Sequence, residues 1–275
     1  IGPSFAEYND KLEYGMDEYI TDDGFWLYRK SRLNYYGVTA LMARVYLCQE
    51  NLTDALACAQ EVIDSKRFEF MNDSINNVYA YRNLSYIEKM ARHEYVSSLY
   101  VYDLKEGRSD LFFKNLASCE CVIAEGRKAS IYSGMGQDLD IRSKNWFETP
   151  AGSATEYVNK YMRGTQIPLL KLSEMYLIAA EGWMEDDPGH AAELLQTFKQ
   201  ARTQKEVVSQ EVTEDVIMRE IRKEFIGEGV IFLTYKRLHH DIWGNTSEDQ
   251  VKADNNVFVF PIPEDEIEYG NRTQN

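Results

Sequence analysis

Positive charge, cysteine and long apolar runs are all scarce in this chain, and each scarcity excludes a class of protein. Thirty Lys and Arg stand against 45 Asp and Glu, a formal net charge of −15. That balance opposes nucleic-acid binding, which needs a positive field to displace counterions, and it opposes docking on anionic lipid through a basic patch. Four cysteines in 275 residues cannot build a disulfide framework. Cys48 and Cys58 fall in helical patterns, where buried, reduced thiols are expected. Cys119 and Cys121 are separated by one residue and lack the second Cys/His pair of a zinc site. No apolar run reaches the roughly 18 residues of a membrane-spanning helix. The chain opens on Ile1-Gly2-Pro3-Ser4, without signal peptide or acylated cysteine, and a further N-terminal part is expected to precede it.

Catalytic patterns are equally scarce. There is no Gly-x-Ser-x-Gly, and Gly134-x-Gly136 has neither a third glycine nor a following helical pattern. His239-His240-Asp241 are adjacent, so on a helix they point about 100° apart and do not share an ion; His93 and His190 are isolated. Glu174, Glu181, Glu220, Glu224 and Glu228 could suggest paired carboxylates, but Arg219, Arg222, Lys223 and Lys236 lie close in sequence. Structural ion pairing with those bases is the expected role. Neither metal nor cofactor is expected, and the chain reads as a non-enzyme.

What is present is helical hairpins. Leu33, Tyr36, Ala40, Leu41 and Val45 recur at helical spacing up to Cys48, Gln49 to Leu52 break the pattern, and Thr53 with Asp54 is expected to open a second helix. Ala43, Tyr46, Ala55 and Ala59, at offsets 0, +3, +12 and +16, fit the tetratricopeptide arrangement, in which small residues let two helices approach. Ala180, Trp183 and Ala192 repeat the first three offsets after Leu169, with Asp186-Asp187-Pro188-Gly189 as the turn, and Gln196 replaces the fourth small residue. Thr213 to Ile226 reads as a third helix, striped by Ile217, Ile221 and Phe225 and stopped by Gly227. Val230 to Leu238 reads as a short helix, Val257 to Phe260 as extended, and Pro263 as a helix start. Between the hairpins, residues 66–165 are loose, with strand-like runs at Tyr95–Tyr102 and Val122-Ile123. The expected fold is mainly α, tetratricopeptide-like hairpins with a long irregular insertion and little β structure. Three segments, 1–65, 66–165 and 166–275, are expected to make one compact unit.

Four pieces of the chain agree in order with one family. Pro168 leads into Glu174-Met175-Tyr176-Leu177-Ile178-Ala179-Ala180-Glu181; Arg219 to Gly229 closes on Gly227-Glu228-Gly229; Lys236-Arg237 follows; and Phe260-Pro261-Ile262-Pro263-Glu264-Asp265-Glu266-Ile267 ends the set. This set resembles the C-terminal portion of the SusD/RagB family, and Arg32 to Asp64 resembles the family's preceding helical repeat. The family's His-Arg after Gly-Glu-Gly and its Asp before the basic pair are here Val230-Ile231 and Thr234, which implies apolar repacking of a buried ion network. Gly270-Asn271 stands where the family has Asn-Pro.

The resemblance implies a surface-exposed lipoprotein of a Bacteroidota outer membrane, anchored by an N-terminal lipid. It would capture a glycan, or less often an oligopeptide, for a SusC-like TonB-dependent transporter. A free tetratricopeptide interaction module and a helical glycan-processing enzyme are the rival readings. Sugar recognition favours exposed aromatic faces beside Asn, Asp or Arg. Tyr132, Arg142, Asn145, Trp146 and Phe147, in loop-like context, are therefore the candidate ligand contacts, with Trp26 after Asp22-Asp23-Gly24.

Overall fold

The computed structural model describes residues 32–70, 94–100, 122–123, 126–132, 139–149, 156–158, 160, 166–203, 209–244 and 249–270. The chain divides into two compact units, Ile1–Glu228 and Gly229–Asn275. The division thus falls inside the 166–275 segment, where the sequence reading places no boundary.

The first unit begins with the expected hairpin, α1 (Tyr35–Cys48) and α2 (Leu52–Asp64). Asn34 caps α1 by accepting from the Gly37 amide at 3.1 Å. Glu50, at φ +60°, turns the chain, and Asn51 rather than Thr53 caps α2, accepting from the Asp54 amide at 3.3 Å. Asn51 wins because Leu52 and Thr53 already have helical geometry, so the side chain one residue before them faces the orphan N–H groups. Ala40, Ala43, Ala55 and Ala59 are fully buried, as the small-residue pattern requires. The larger apolar residues behave otherwise: Leu33, which precedes α1, and Leu41 and Val45 within it are exposed, and Gly37, Thr39, Ala40 and Ala43 supply the buried face. Cys48 is exposed and Cys58 half-buried, against the expectation of buried thiols; Cys119 and Cys121 lie outside the described residues.

A strand pair follows. β1 (Tyr95–Tyr100) runs antiparallel to β5 (Gln166–Lys171), with Tyr95 opposite Lys171, Leu99 opposite Ile167 and an irregular register between Tyr95 and Ser98. A Cβ on Gly37 would sit 3.6 Å from the Ser97 Cβ, an ordinary contact distance, so α1 lies directly against β1 at this point. Between these strands in sequence lie β2 (Val122–Ile123), the short helices α3 (Arg127–Ile131) and α4 (Ile141–Asn145), β3 (Phe147–Glu148) and β4 (Glu156–Val158). Strands β2, β4 and β3 form a small antiparallel sheet in that order. Tyr95, Ile123, Tyr132, Trp146, Phe147 and Val158 make one apolar cluster, flanked by Ile131 and Ile226.

The second hairpin is α5 (Leu172–Gly182) and α6 (Pro188–Gln200). Asp187 caps α6 by accepting from the His190 amide at 3.0 Å, with Pro188 at the first helical position, where its missing N–H costs nothing. Helix α5 is buried almost all round and packs on α2 and α6. A Cβ on Gly182 would meet the Leu56 Cβ at 3.0 Å, so α2 and α5 touch nearly backbone to side chain. Helix α7 (Glu214–Glu224) is capped by Thr213 and buries Ile217 and Ile221, with Phe225 after its end. Each such side chain contributes about 1.5–3 kcal/mol by leaving water. Gly227, at φ +76°, ends the element in the left-handed region, as its position predicts.

The second unit holds α8 (Val230–Arg237), α9 (Asn255–Phe258) and α10 (Glu264–Glu268). Trp243 packs edge to face on Tyr235 and on His240, the latter with ring centres 4.8 Å apart, and the Tyr235 and His240 rings are tilted against each other. Val230 and Ile231 are half-buried, and Thr234 is buried with its hydroxyl returned to the Val230 carbonyl at 3.0 Å. Asp241 accepts from the Ala253 amide at 2.8 Å and from Lys252 at 2.6 Å. The expected extended run is half helical: Asp254 caps the Asn256 amide, so Val257 and Phe258 close a turn, and only from Val259 is the backbone extended. Pro263 opens α10 as expected.

Candidate functional site

The chemistry of the first unit gathers around α7. The carboxylates of Glu220 and Glu224 lie on the same side as Ile217, Ile221 and Phe225, and both residues are buried. Arg142 of α4 reaches them with Nη2 at 2.9 Å from Glu220 and Nη1 at 3.2 Å from Glu224, while its Nε and Nη2 also bond Asp140 at 3.0 and 2.8 Å. Arg202, just beyond α6, donates to Glu224 at 2.9 and 3.0 Å and to Glu94 at 2.8 Å. Lys171, the last residue of β5, sits 3.1 Å from Glu224 and 3.0 Å from Glu228. Lys160 binds Glu228 and donates to the Glu224 carbonyl at 2.7 Å. The Phe198 ring underlies two guanidinium groups, Arg142 at 5.5 Å and Arg202 at 5.3 Å.

Five carboxylates (Glu94, Asp140, Glu220, Glu224, Glu228) thus share four buried cations, with Lys223 joining Glu220 at 3.0 Å from the rim. Such near-neutrality is what a low-dielectric interior requires, because an unmatched buried charge is far costlier than a matched pair. The protonation states follow. Burial pushes Glu220 up, but Arg142 and Lys223 outweigh it and hold the carboxyl at about 2. Burial likewise opposes ionisation of Glu224, which Arg202, Lys171 and Arg142 pull well below the usual carboxylate range. The two lysines diverge. Burial pushes Lys171 down, yet the Glu224 and Glu228 carboxylates leave it raised. For Lys160 burial dominates, and with Glu228 as its one carboxylate contact and Lys171 repelling it, the ammonium is lowered to about 8.

This cluster corrects the pairing read from the sequence. Lys223 pairs with Glu220 at 3.0 Å, and the other cations that bind Glu174, Glu220, Glu224 and Glu228 come from 22 to 130 positions away, including Arg44, which holds Glu174 at 2.6 Å. Arg219 instead lies 4.0 Å from Asp215, both exposed. Ion pairing holds Glu174, Glu220, Glu224 and Glu228, for the most part with cations distant in sequence.

The candidate ligand contacts fall against the same cluster. Arg142 is 1% exposed and occupied by three carboxylates. Trp146 is 8% exposed, and Lys160 Nζ lies 3.8 Å from the centre of its ring. Tyr132 is buried, donates its hydroxyl to the Lys223 carbonyl at 2.8 Å and packs edge to face on Phe147, itself buried. Burial raises the Tyr132 phenol well above its ordinary value. Asn145 is half-buried and donates to the Ile141 carbonyl at 2.9 Å. Trp26 lies outside the described residues. The loop-like flanks of Trp146 suggested an open face, but residues 139–149 fold inward because Arg142 is drawn to Glu220 and Glu224 and carries its neighbours with it. Four of the six candidates are therefore brought together as packing, not as an exposed platform. Among the described residues, no group of three His, Cys, Asp or Glu is placed to hold a metal ion, and no helix is long and apolar enough to cross a membrane.

No protein-family model matches the chain, nor does any curated protein sequence. Solved structures do. A SusD superfamily protein from Bacteroides thetaiotaomicron superposes with a TM-score of 0.65 at 23% identity, over 88% of this chain and 60% of that one. The fold is SusD-like. A SusD-like carbohydrate binding protein from Bacteroides vulgatus covers 96% of this chain and 63% of its own at TM-score 0.63 and 14% identity. Surface glycan-binding protein A from Bacteroides thetaiotaomicron, in complex with laminarihexaose, gives TM-score 0.64 and 16% identity over 90% of this chain and 65% of that one. This chain thus spans about three fifths of the length of the SusD-like structures it matches.

Proposed function

We propose that the chain belongs to the SusD/RagB family and is the non-catalytic, glycan-capturing component of a SusC/SusD-type uptake system at a Bacteroidota outer-membrane surface. The observation that carries this reading is the SusD-like fold, shared over 90% of the chain with a glycan-binding protein. The ordered sequence segments from Pro168 to Ile267 support it independently. The engagement of Glu220, Glu224 and Glu228 by buried cations supports a scaffold role for the acids that most resemble a catalytic set. The ligand is an oligosaccharide, passed to a TonB-dependent transporter, and the protein is held at the surface by an N-terminal lipid. Asn145, half-buried, and Trp26 are the candidate contacts that remain once Arg142 and the buried aromatics are assigned to packing.

The test is a binding screen of the full-length protein against oligosaccharides and oligopeptides, repeated with Trp26→Ala, beside affinity purification from membranes. Oligosaccharide binding weakened by Trp26→Ala, with a co-purifying transporter barrel, is the expected result. Peptide binding alone would move the ligand class, release of reducing ends would overturn the non-catalytic role, and a soluble protein partner without any ligand would refute the uptake reading.

A further inference from the structure

Gly227 and Gly229 both take left-handed backbone, at φ +76°, and Glu228 lies between them where the chain passes from the first compact unit into the second. Both glycines are exposed. A Cβ on Gly229 would meet nothing within 4 Å, and one on Gly227 would meet only the Val158 side chain, at 3.9 Å. Packing therefore contributes little to holding the Gly227–Gly229 turn. A backbone bond closes it, from the Glu228 amide to the Phe225 carbonyl at 2.9 Å. Its other tether is the Glu228 carboxylate. Only 5% of that side chain is exposed, and Lys160 and Lys171 both reach its Oε1, Lys171 at 3.0 Å.

The two lysines arrive from outside the turn, Lys171 from the end of β5 and Lys160 from beyond β4. They also hold the carbonyls behind it: Lys160 donates to Glu224 at 2.7 Å and to Ile226 at 3.5 Å, and Lys171 to Glu224 at 3.4 Å. A buried acid thus anchors a segment whose flanking glycines leave the backbone free to take other conformations. The charges around Glu228 fix how this contact responds to pH. Lys160 and Lys171 face it as cations, Arg44 of α1 acts on it from further off, and the Glu224 carboxylate of α7 repels it. Burial pushes the Glu228 carboxyl up, and the two lysines outweigh burial and Glu224 to leave it lowered. A carboxyl lowered in the closed turn and ordinary in the open one favours closure above pH 4.5, and that contribution is lost as pH falls through the closed value. Glu224, bound by two arginines, is held well below the usual range, so α7 keeps its own ion pairs while the turn gives way.

We propose that Glu228 is an acid-released latch: ionised, it holds the Gly227–Gly229 turn closed against Lys160 and Lys171, and protonated, it lets the turn open while the helices of the first unit stay folded. This device is independent of what the protein binds. Amide hydrogen exchange on the full chain between pH 6 and 3, corrected for the intrinsic pH dependence of exchange, tests it. Protection over residues 226–230 should fall below pH 4.5 by up to about tenfold per pH unit, ahead of α5 and α6. Glu228→Gln should lower that protection at least about tenfold at pH 6, leave α5 and α6 protected, and abolish the pH dependence of the turn. If that variant does not fold, the pH series on the unaltered protein decides alone. Turn protection that stays flat from pH 6 to 3, that falls only together with α5 and α6, or that survives Glu228→Gln would each overturn the proposal.

Discussion

Lys160 offers a measurable contest between desolvation and ion pairing. Its ammonium is buried, bound to Glu228 and two backbone carbonyls, and stacked on Trp146, yet it is lowered from 10.5 to about 8. That displacement corresponds to about 3 kcal/mol by which burial outweighs its partners. Below pH 8 both folded and unfolded chains hold the proton; between 8 and 10.5 the unfolded chain holds it and the folded chain has released it. Stability therefore rises with pH in this window, by up to about 1.4 kcal/mol per pH unit. Urea unfolding of the native chain and of Lys160→Met at pH 7.5 and 9.5 isolates the effect, because Glu228 and Lys171, the ionised groups coupled to Lys160, are lowered and raised respectively and so titrate outside this interval. The native protein should gain about 2 kcal/mol on the variant across that interval. Lys171, whose folded value is raised, begins to lose its contribution only above its ordinary range and leaves the interval clear. Equal slopes, or a native protein that loses ground to Lys160→Met as pH rises, would refute the claim that desolvation dominates this site.

Three further outcomes follow from the same cluster. Glu224→Gln removes the carboxylate shared by Arg142, Arg202 and Lys171 and should cost about 3–5 kcal/mol; a loss below about 1 kcal/mol in denaturant titration would show that the cluster is not tightly coupled. Glu220, held at about 2 against a usual 4.5, contributes stability that is fully present above pH 4.5 and lost as pH falls towards 2. An acid titration followed by circular dichroism should accordingly show stability eroding by about 3 kcal/mol from this one group. Trp146→Ala should lower stability by about 3–5 kcal/mol at native pH; an unchanged melting temperature with a selective loss of oligosaccharide binding would restore Trp146 as a ligand platform.

Much of the helical scaffold was legible because its signals are local. The alanines that let α1, α2, α5 and α6 approach, the Asp187-Pro188 start and the Gly227 stop each depend on residues within a turn or two. The single misplaced cap, Thr53 for Asn51, is a two-residue shift of the sort that terminal side chains decide among themselves. The buried acids were partly legible: Ile217, Glu220, Ile221, Glu224 and Phe225 follow i, i+3, i+4, i+7, i+8, so two glutamates interrupt a core stripe and demand cations. Nothing in the spacing of Glu94, Arg142, Lys160, Lys171 and Arg202 names them as the partners.

The amino-acid sequence by itself determined the mainly helical class, the hairpins and their turns, since helix propensity, caps and periodicity act over a few residues. Only the tertiary structure decided that residues 139–149 turn inward, because burial is a property of the surroundings and not of the flanking loop composition. It also decided which cations meet Glu224 and that Lys160 and Lys171, equal as residues, differ as acids. Those outcomes depend on charges brought within 3 Å or so across 22 to 108 positions of chain, and Coulomb energy and desolvation respond to distance in space, not along the sequence.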